Sequence, residues 1–144
     1  AETSYRRTLT GTFNFGGITT VEVYLIKAEC LARDNKISEA LAILNAIRKT
    51  RILPSAYADL TASTKTEAMG HIMKTKRNEL ILSIVPFCDI RRWNNEGTYT
   101  VTLSKVVDGN TLTLLPTSSM WTMPFPQGAI DNPGNGTFEQ NVSK

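Results

Sequence analysis

The sequence has very few of the residues on which catalytic and metal sites depend. Among its 144 residues there is one histidine, His71, and two cysteines, Cys30 and Cys88. A zinc site or a serine or cysteine triad needs histidine together with further ligands or partners, so neither is predicted. The cysteines have no CxxC spacing, and we interpret them as two buried thiols, with a disulfide between them left open. We therefore expect no catalytic residue, metal or cofactor, and we interpret His71 as a helix-surface residue.

Long hydrophobic runs and strong charge are absent as well. No stretch reaches the length of a transmembrane helix, and the N-terminal residues contain no hydrophobic segment of the kind found in a secretion signal. The net charge is only +3, from 16 Lys and Arg against 13 Asp and Glu. A nucleic-acid binder usually carries a denser basic stripe with interleaved aromatics, so nucleic acid is not an expected partner. A hydrophobic content of 41% is typical of a globular protein.

The first half of the chain has helical periodicity. Apolar residues recur at helical spacing from Val21 to Ala32, with Thr19 or Thr20 as the cap, and a second apolar face follows the break at residues 34–36. Ser38 is the expected cap of this second helix. Because the turn is short, the two helices should be antiparallel neighbours resembling one tetratricopeptide repeat. A third helix is expected from about Glu67 to Val85, with Thr66 as its cap and Pro86 ending or kinking it.

The second half changes character. After a short amphipathic element at residues 87–93, residues 98–115 alternate polar and apolar residues around Asp108-Gly109, which predicts a β-hairpin. From Pro116 onward the chain is rich in Pro, Gly and Asn. The fold class is therefore mainly α, with tetratricopeptide-like antiparallel helix pairs, a small β-hairpin and a long irregular C-terminal segment. We expect a single domain over 1–144: irregular 1–19, helical scaffold 20–93, hairpin 98–115 and loop-rich tail 116–144.

Three stretches in order resemble the C-terminal portion of the SusD/RagB family. The first runs from Tyr24 to Arg33 and continues in Glu39-Ala40 and Leu44-Asn45-Ala46-Ile47-Arg48. The second comprises Lys76-Arg77-Asn78-Glu79-Leu80 and then Phe87 to Trp93. The third comprises Met123-Pro124-Phe125-Pro126-Gln127, Ile130 and Gln140-Asn141. Order and spacing agree over nearly all of residues 20–141.

The resemblance implies a function. Members of this family are surface lipoproteins of the Gram-negative outer membrane that capture oligosaccharides, or sometimes peptides, and pass them to a SusC-like TonB-dependent transporter. It also implies that the lipid-bearing N-terminus, the export signal and most ligand-facing loops lie outside this chain. We thus expect a non-catalytic glycan-binding subunit; the alternatives are a peptide-capture member of the family and a tetratricopeptide-type protein-interaction module.

The charged residues around the third helix allow two readings. Glu79 and Asp89 could form the acid/base pair of a glycosidase, which needs two carboxylates flanking the scissile bond. We favour a structural ion network that includes both acids, because buried charges must be paired. The predicted network consists of Arg77, Glu79, Asp89, Arg91 and Arg92.

Flat aromatic side chains are the candidates for sugar stacking. Trp93 lies in an amphipathic segment and is expected in the core. Trp121, in the loop-rich tail, and Tyr99 are the candidate ligand-binding residues.

Overall fold

The computed structural model describes residues 18–81, 83–132, 134, 136, 137 and 140. Its described part is mainly helical with a two-stranded antiparallel sheet, which confirms the predicted fold class. Most of the predicted irregular segment 1–19, and residue Asn141 of the third motif, lie outside the described residues. The chain divides into two compact units, one ending at Glu79 and the other beginning at Leu80.

Helix α1 (Thr20–Arg33) begins as its sequence predicts. The Oγ1 of Thr19 accepts a hydrogen bond from the Glu22 amide at 3.2 Å, which satisfies one of the free N–H groups of the first turn. The buried face of the helix carries Leu25, Ala28, Glu29 and Ala32. After Asp34, Asn35 adopts a left-handed conformation with φ of 63°, which reverses the chain sharply.

Helix α2 (Ile37–Lys49) follows this turn and packs against α1. Its buried face carries Ala40, Leu41, Leu44 and Ile47. The predicted cap, Ser38, is wrong, because the helix already begins at Ile37 and no side chain caps it. The tight turn brings the Lys36 amide to the Leu31 carbonyl at 2.8 Å, so the turn itself positions the start of the second helix.

Helix α3 (Lys65–Glu79) packs against both α1 and α2 and contributes buried Ala68, Met69 and Ile72. The predicted cap, Thr66, is wrong by two residues. Instead, the Thr64 hydroxyl accepts from the Glu67 amide at 3.2 Å, while Glu67 Oε2 accepts from the Thr64 amide at 3.1 Å. This reciprocal pair is a capping box, so the Thr-x-x-Glu spacing fixes the start of the helix.

The expectation that one helix continues to Val85 is also wrong. Helix α3 ends at Glu79, and a separate helix, α4, spans Val85–Glu96 with Pro86 in its first turn. Proline has no N–H to donate and a φ already suited to a helix, so it is well tolerated at a helix start. Gly97, with φ of 75°, ends α4 in the left-handed conformation that glycine adopts without steric cost.

The predicted hairpin is present. Strand β1 (Leu103–Val107) pairs antiparallel with β2 (Asn110–Leu114), and Leu103 lies opposite Leu114. Asp108 and Gly109 both have positive φ, 49° and 78°, as the tight two-residue turn requires. Both strands are exposed except at Leu103 and Leu114, which are half-buried.

The tail contains two short elements. A single 3₁₀ turn covers Ser119–Trp121, with the Ser118 side chain accepting from the Met120 amide at 3.2 Å, and helix α5 spans Gln127–Asp131. Trp121 is buried, as are Leu80, Ile90 and Trp93 in the same unit. Trp93 is thus the core residue that its amphipathic segment predicts.

Candidate functional site

A buried ion cluster links α1 to α3. Glu29 is 4% exposed and Lys76 is 3% exposed, and the Lys76 ammonium lies 3.2 Å from Oε2 of Glu29. The other carboxylate oxygen accepts from Arg33 at 2.8 Å and 3.1 Å. Lys65, at the start of α3, donates to the Arg33 carbonyl. Since the cations are held by one carboxylate inside the helix packing, the cluster is suited to fixing the position of α3.

A second polar cluster holds the segment between α2 and α3, which we call the strap (residues 52–63). Asn45 on α2 binds the main chain of Leu60 twice: its Oδ1 accepts from the Leu60 amide at 2.8 Å, and its Nδ2 donates to the Leu60 carbonyl at 3.1 Å. Arg48, one turn further on, donates to the Ala58 carbonyl at 2.8 Å. The strap is therefore attached to α2 through its own main-chain atoms.

The Tyr57 side chain provides a further attachment of the strap to α2. Its hydroxyl lies 3.1 Å from the Asn45 carbonyl and 2.5 Å from Oδ1 of Asp59, and the Arg48 guanidinium lies over its ring at 5.7 Å. The hydrogen bond to the Asp59 carboxylate is the main reason why the pKa of Tyr57 is raised above its ordinary value of 10.0. The Tyr57 hydroxyl and the Arg48 guanidinium are thus both engaged in contacts within the protein.

The predicted ion network falls into separate contacts. In the second unit, Asp89 is buried and pairs with Arg92 at 2.9 Å, and Arg92 also reaches Glu96 at 3.2 Å. Arg91 is exposed and lies over the Phe87 ring at 5.9 Å. In the first unit, Glu79 pairs with Arg51 at 3.2 Å, whereas Arg77 is exposed. Each of the two acids considered for glycosidase chemistry therefore has an arginine partner on its own unit.

The candidate aromatic residues differ in accessibility. Trp121 is 6% exposed; its ring lies 5.8 Å from that of Phe87, and its indole N–H donates to the Leu115 carbonyl at 2.8 Å. Tyr99 is half-buried. Packing on Phe87 and the indole hydrogen bond favour a core role for Trp121, which leaves Tyr99 as the more accessible candidate for stacking.

Two further amide side chains, those of Gln140 and Asn94, also hold the main chain. The side chain of Gln140 forms reciprocal hydrogen bonds with the main chain of Phe125, both at 3.0 Å. Asn94, next to Trp93, accepts from the Val101 amide at 2.7 Å. The sequence does not predict these contacts, because amide side chains that bind main-chain groups across a loop leave no periodic signal.

Histidine and cysteine take no part in a common site. His71 is half-buried, with Nε2 3.1 Å from the Thr61 carbonyl. The expectation of buried thiols is wrong, because Cys30 on α1 and Cys88 on α4 are both exposed and free. Within the described ranges, no three His, Cys, Asp or Glu side chains come together as a metal site. The described helices include none that is both long and apolar enough to cross a membrane.

The comparison with protein-family models agrees with the pattern of motifs. The model of the SusD family matches residues 11–142, which is most of the chain. Searches of curated proteins and of solved structures gave no significant match. The chain belongs to the SusD family. The SusD family is a binding family and not a catalytic one. Membership indicates a role in nutrient uptake through glycan binding.

Proposed function

We propose that this chain is part of a non-catalytic nutrient-capture protein that binds glycans at the cell surface and passes them to a SusC-like TonB-dependent outer-membrane transporter. The family match over residues 11–142 carries the proposal. On this proposal the protein is a surface lipoprotein attached through an N-terminal lipid outside this chain. Binding requires no cofactor, and affinity comes from aromatic stacking and hydrogen bonds to sugar hydroxyls.

The contacts of the motif residues support a scaffold role for this chain. Glu29 and Lys76 join two helices, Asn45 and Arg48 hold the strap, and Gln140 holds the main chain of Phe125. Engagement of these side chains in contacts within the protein supports a structural role for them. On this proposal, ligand selection falls to more accessible residues, of which the half-buried Tyr99 is the candidate that we carry forward, and to loops outside this chain.

Calorimetric titration of the full-length protein against a panel of oligosaccharides and a panel of peptides tests the proposal. We expect saturable binding of at least one oligosaccharide, and recovery of the bound sugar unhydrolysed. Saturable binding of peptides with no response to any sugar would replace the glycan by a peptide within the same capture role. Release of shortened sugar would contradict the non-catalytic assignment.

A protein-interaction module is the second candidate function. The specific observation in its favour is that α1 exposes three large apolar side chains, Val23, Tyr24 and Ile26, at 54%, 50% and 43%. Several large exposed apolar side chains on one helix are typical of a protein contact. If this function is the primary one, a protein partner co-purifies, and sugars neither bind nor compete with it.

A further inference from the structure

The strap contributes little to the hydrophobic core. Ile52, Tyr57, Leu60 and Ala62 are only half-buried, and the other strap residues are exposed. By contrast, α1, α2 and α3 each contain fully buried apolar residues, among them Leu25, Leu44 and Ile72. Since burial of apolar surface is the main source of folding free energy, detaching the strap costs far less than separating the helices.

What holds the strap is a small set of polar contacts to neighbouring helices. Asn45 binds Leu60 twice, Arg48 binds Ala58, Tyr57 binds the Asn45 carbonyl, and His71 binds the Thr61 carbonyl. The strap lies wholly within the described residues, and its one internal main-chain hydrogen bond joins the Ala56 amide to the Leu53 carbonyl. No ladder of main-chain hydrogen bonds therefore ties it to the helices.

The two ends of the strap are fixed independently of its middle. Before it, Arg51 pairs with Glu79 and the Ile52 amide donates to the Arg48 carbonyl at 3.0 Å. After it, the capping box of Thr64 and Glu67 fixes the start of α3. Both ends can thus stay in place while residues 57–61 leave α2.

We infer that the strap is a conformational device that opens as one unit while the packing of α1, α2 and α3 persists, and that Asn45 is the positioning residue that closes it. Asn45 holds this role because it alone satisfies both the N–H and the C=O of a strap residue. Opening separates the Arg48 guanidinium from the Tyr57 ring and from the Ala58 carbonyl, and it separates the Tyr57 hydroxyl from the Asn45 carbonyl. This inference concerns the first unit alone and does not depend on the proposed ligand.

Native-state hydrogen exchange on the 144-residue chain measures the opening directly. The Leu60 amide, which donates to Asn45, should exchange about a hundredfold faster than the amides of Leu25 and Leu44, which lie within the core helices. The exchange rate of the Leu60 amide should depend little on low concentrations of the denaturant guanidinium chloride, because local opening exposes little surface. The inference would be overturned if the Leu60 amide exchanged as slowly as the amides of Leu25 and Leu44 and with the same dependence on denaturant concentration.

Variants of Asn45 test its part in the device. Asn45→Ala removes both contacts to Leu60 and should raise the Leu60 exchange rate about tenfold. Asn45→Asp keeps the acceptor for the Leu60 amide and should restore part of the protection. The matched control, Asn78→Ala, changes an exposed asparagine on α3 and should leave the Leu60 rate within about twofold. Equal exchange rates of the Leu60 amide in Asn45→Ala and in the wild type would show that Asn45 does not hold the strap closed.

Discussion

The two compact units of the molecule are stabilised in different ways. In the first, three helices supply apolar residues to one core, and polar side chains join the helices and the strap. In the second, the core contains two tryptophans, Trp93 and Trp121, while most of the hairpin lies exposed. The stability of the first unit therefore depends on helix packing and on paired charges. The stability of the second unit depends on a few large buried side chains.

This difference gives each unit its own spectroscopic signal. Both tryptophans of the chain lie in the second unit, so tryptophan fluorescence, excited where tyrosine does not absorb, reports on that unit alone. Helices α1, α2 and α3 have 14, 13 and 15 residues, whereas α4 and α5 have 12 and 5. Far-UV circular dichroism is therefore dominated by the first unit, and comparing the two signals separates effects on the two units.

The largest effect is expected from neutralising the buried carboxylate of the first unit. Glu29→Gln leaves Lys76 and Arg33 without the charge that both of them face, which should lower the free energy of unfolding by about 4 kcal/mol. Denaturant unfolding followed by circular dichroism measures the loss. Glu39→Gln, at an exposed glutamate on α2, is the control. Equal losses in the two variants would show that the buried cluster has no special role.

The next largest effect should appear in the second unit. Trp121→Ala removes a buried ring and its hydrogen bond to Leu115, at an expected cost of about 3 kcal/mol in the unit's stability. The remaining fluorescence of Trp93 follows the transition, and Met123→Ala, at a site 66% exposed, serves as the control. Unchanged stability together with lost sugar affinity would instead assign Trp121 to ligand stacking.

A smaller effect should follow from removing the cap of α3. Thr64→Ala deletes the hydroxyl that accepts from the Glu67 amide and should cost about 1 kcal/mol. Thr66→Ala is the matched control, because Thr66 is exposed within the helix. Denaturant unfolding followed by circular dichroism should show the loss for Thr64→Ala only. A larger loss for Thr66→Ala would contradict the position of the cap.

The smallest effect should be a dependence on pH. Main-chain hydrogen bonds from Ser63 and then Thr64 lower the pKa of Glu67 below its ordinary value of 4.5. Because the folded-state pKa is the lower one, this stabilisation is present above pH 4.5 and is lost as the pH falls through the folded value. Thermal unfolding between pH 6 and pH 3 should show a shallower pH dependence in Glu67→Gln. If the melting temperatures of Glu67→Gln and the wild type changed identically with pH, Glu67 would not contribute to the acid sensitivity.

The sequence predicts the elements better than their boundaries. Apolar periodicity identifies α1 and α2, and Asp108-Gly109 identifies the hairpin turn, because these signals are local and repeated. Two threonines, Thr64 and Thr66, lie near the start of α3, and only the reciprocal bond with Glu67 distinguishes the one that caps the helix. Pro86 fits a helix start as well as a helix end, so its position alone leaves the break between α3 and α4 undecided.

The polar contacts are less predictable still. Glu29 and Arg33 are one helical turn apart and predict an ion pair, but the contact of Glu29 with Lys76 joins residues 47 positions apart. The binding of Asn45 to Leu60 depends likewise on how the strap returns along α2. Such contacts follow from tertiary packing, and a single sequence contains no periodic signal for them.

Co-purification from outer membranes tests the central claim most directly. The full-length protein, tagged and isolated with mild detergent from its native host, should be recovered in the outer-membrane fraction together with a TonB-dependent transporter in comparable amount. A tagged, unrelated surface lipoprotein isolated in the same way controls for non-specific association. Recovery outside the outer-membrane fraction, or without any such transporter, would contradict the account.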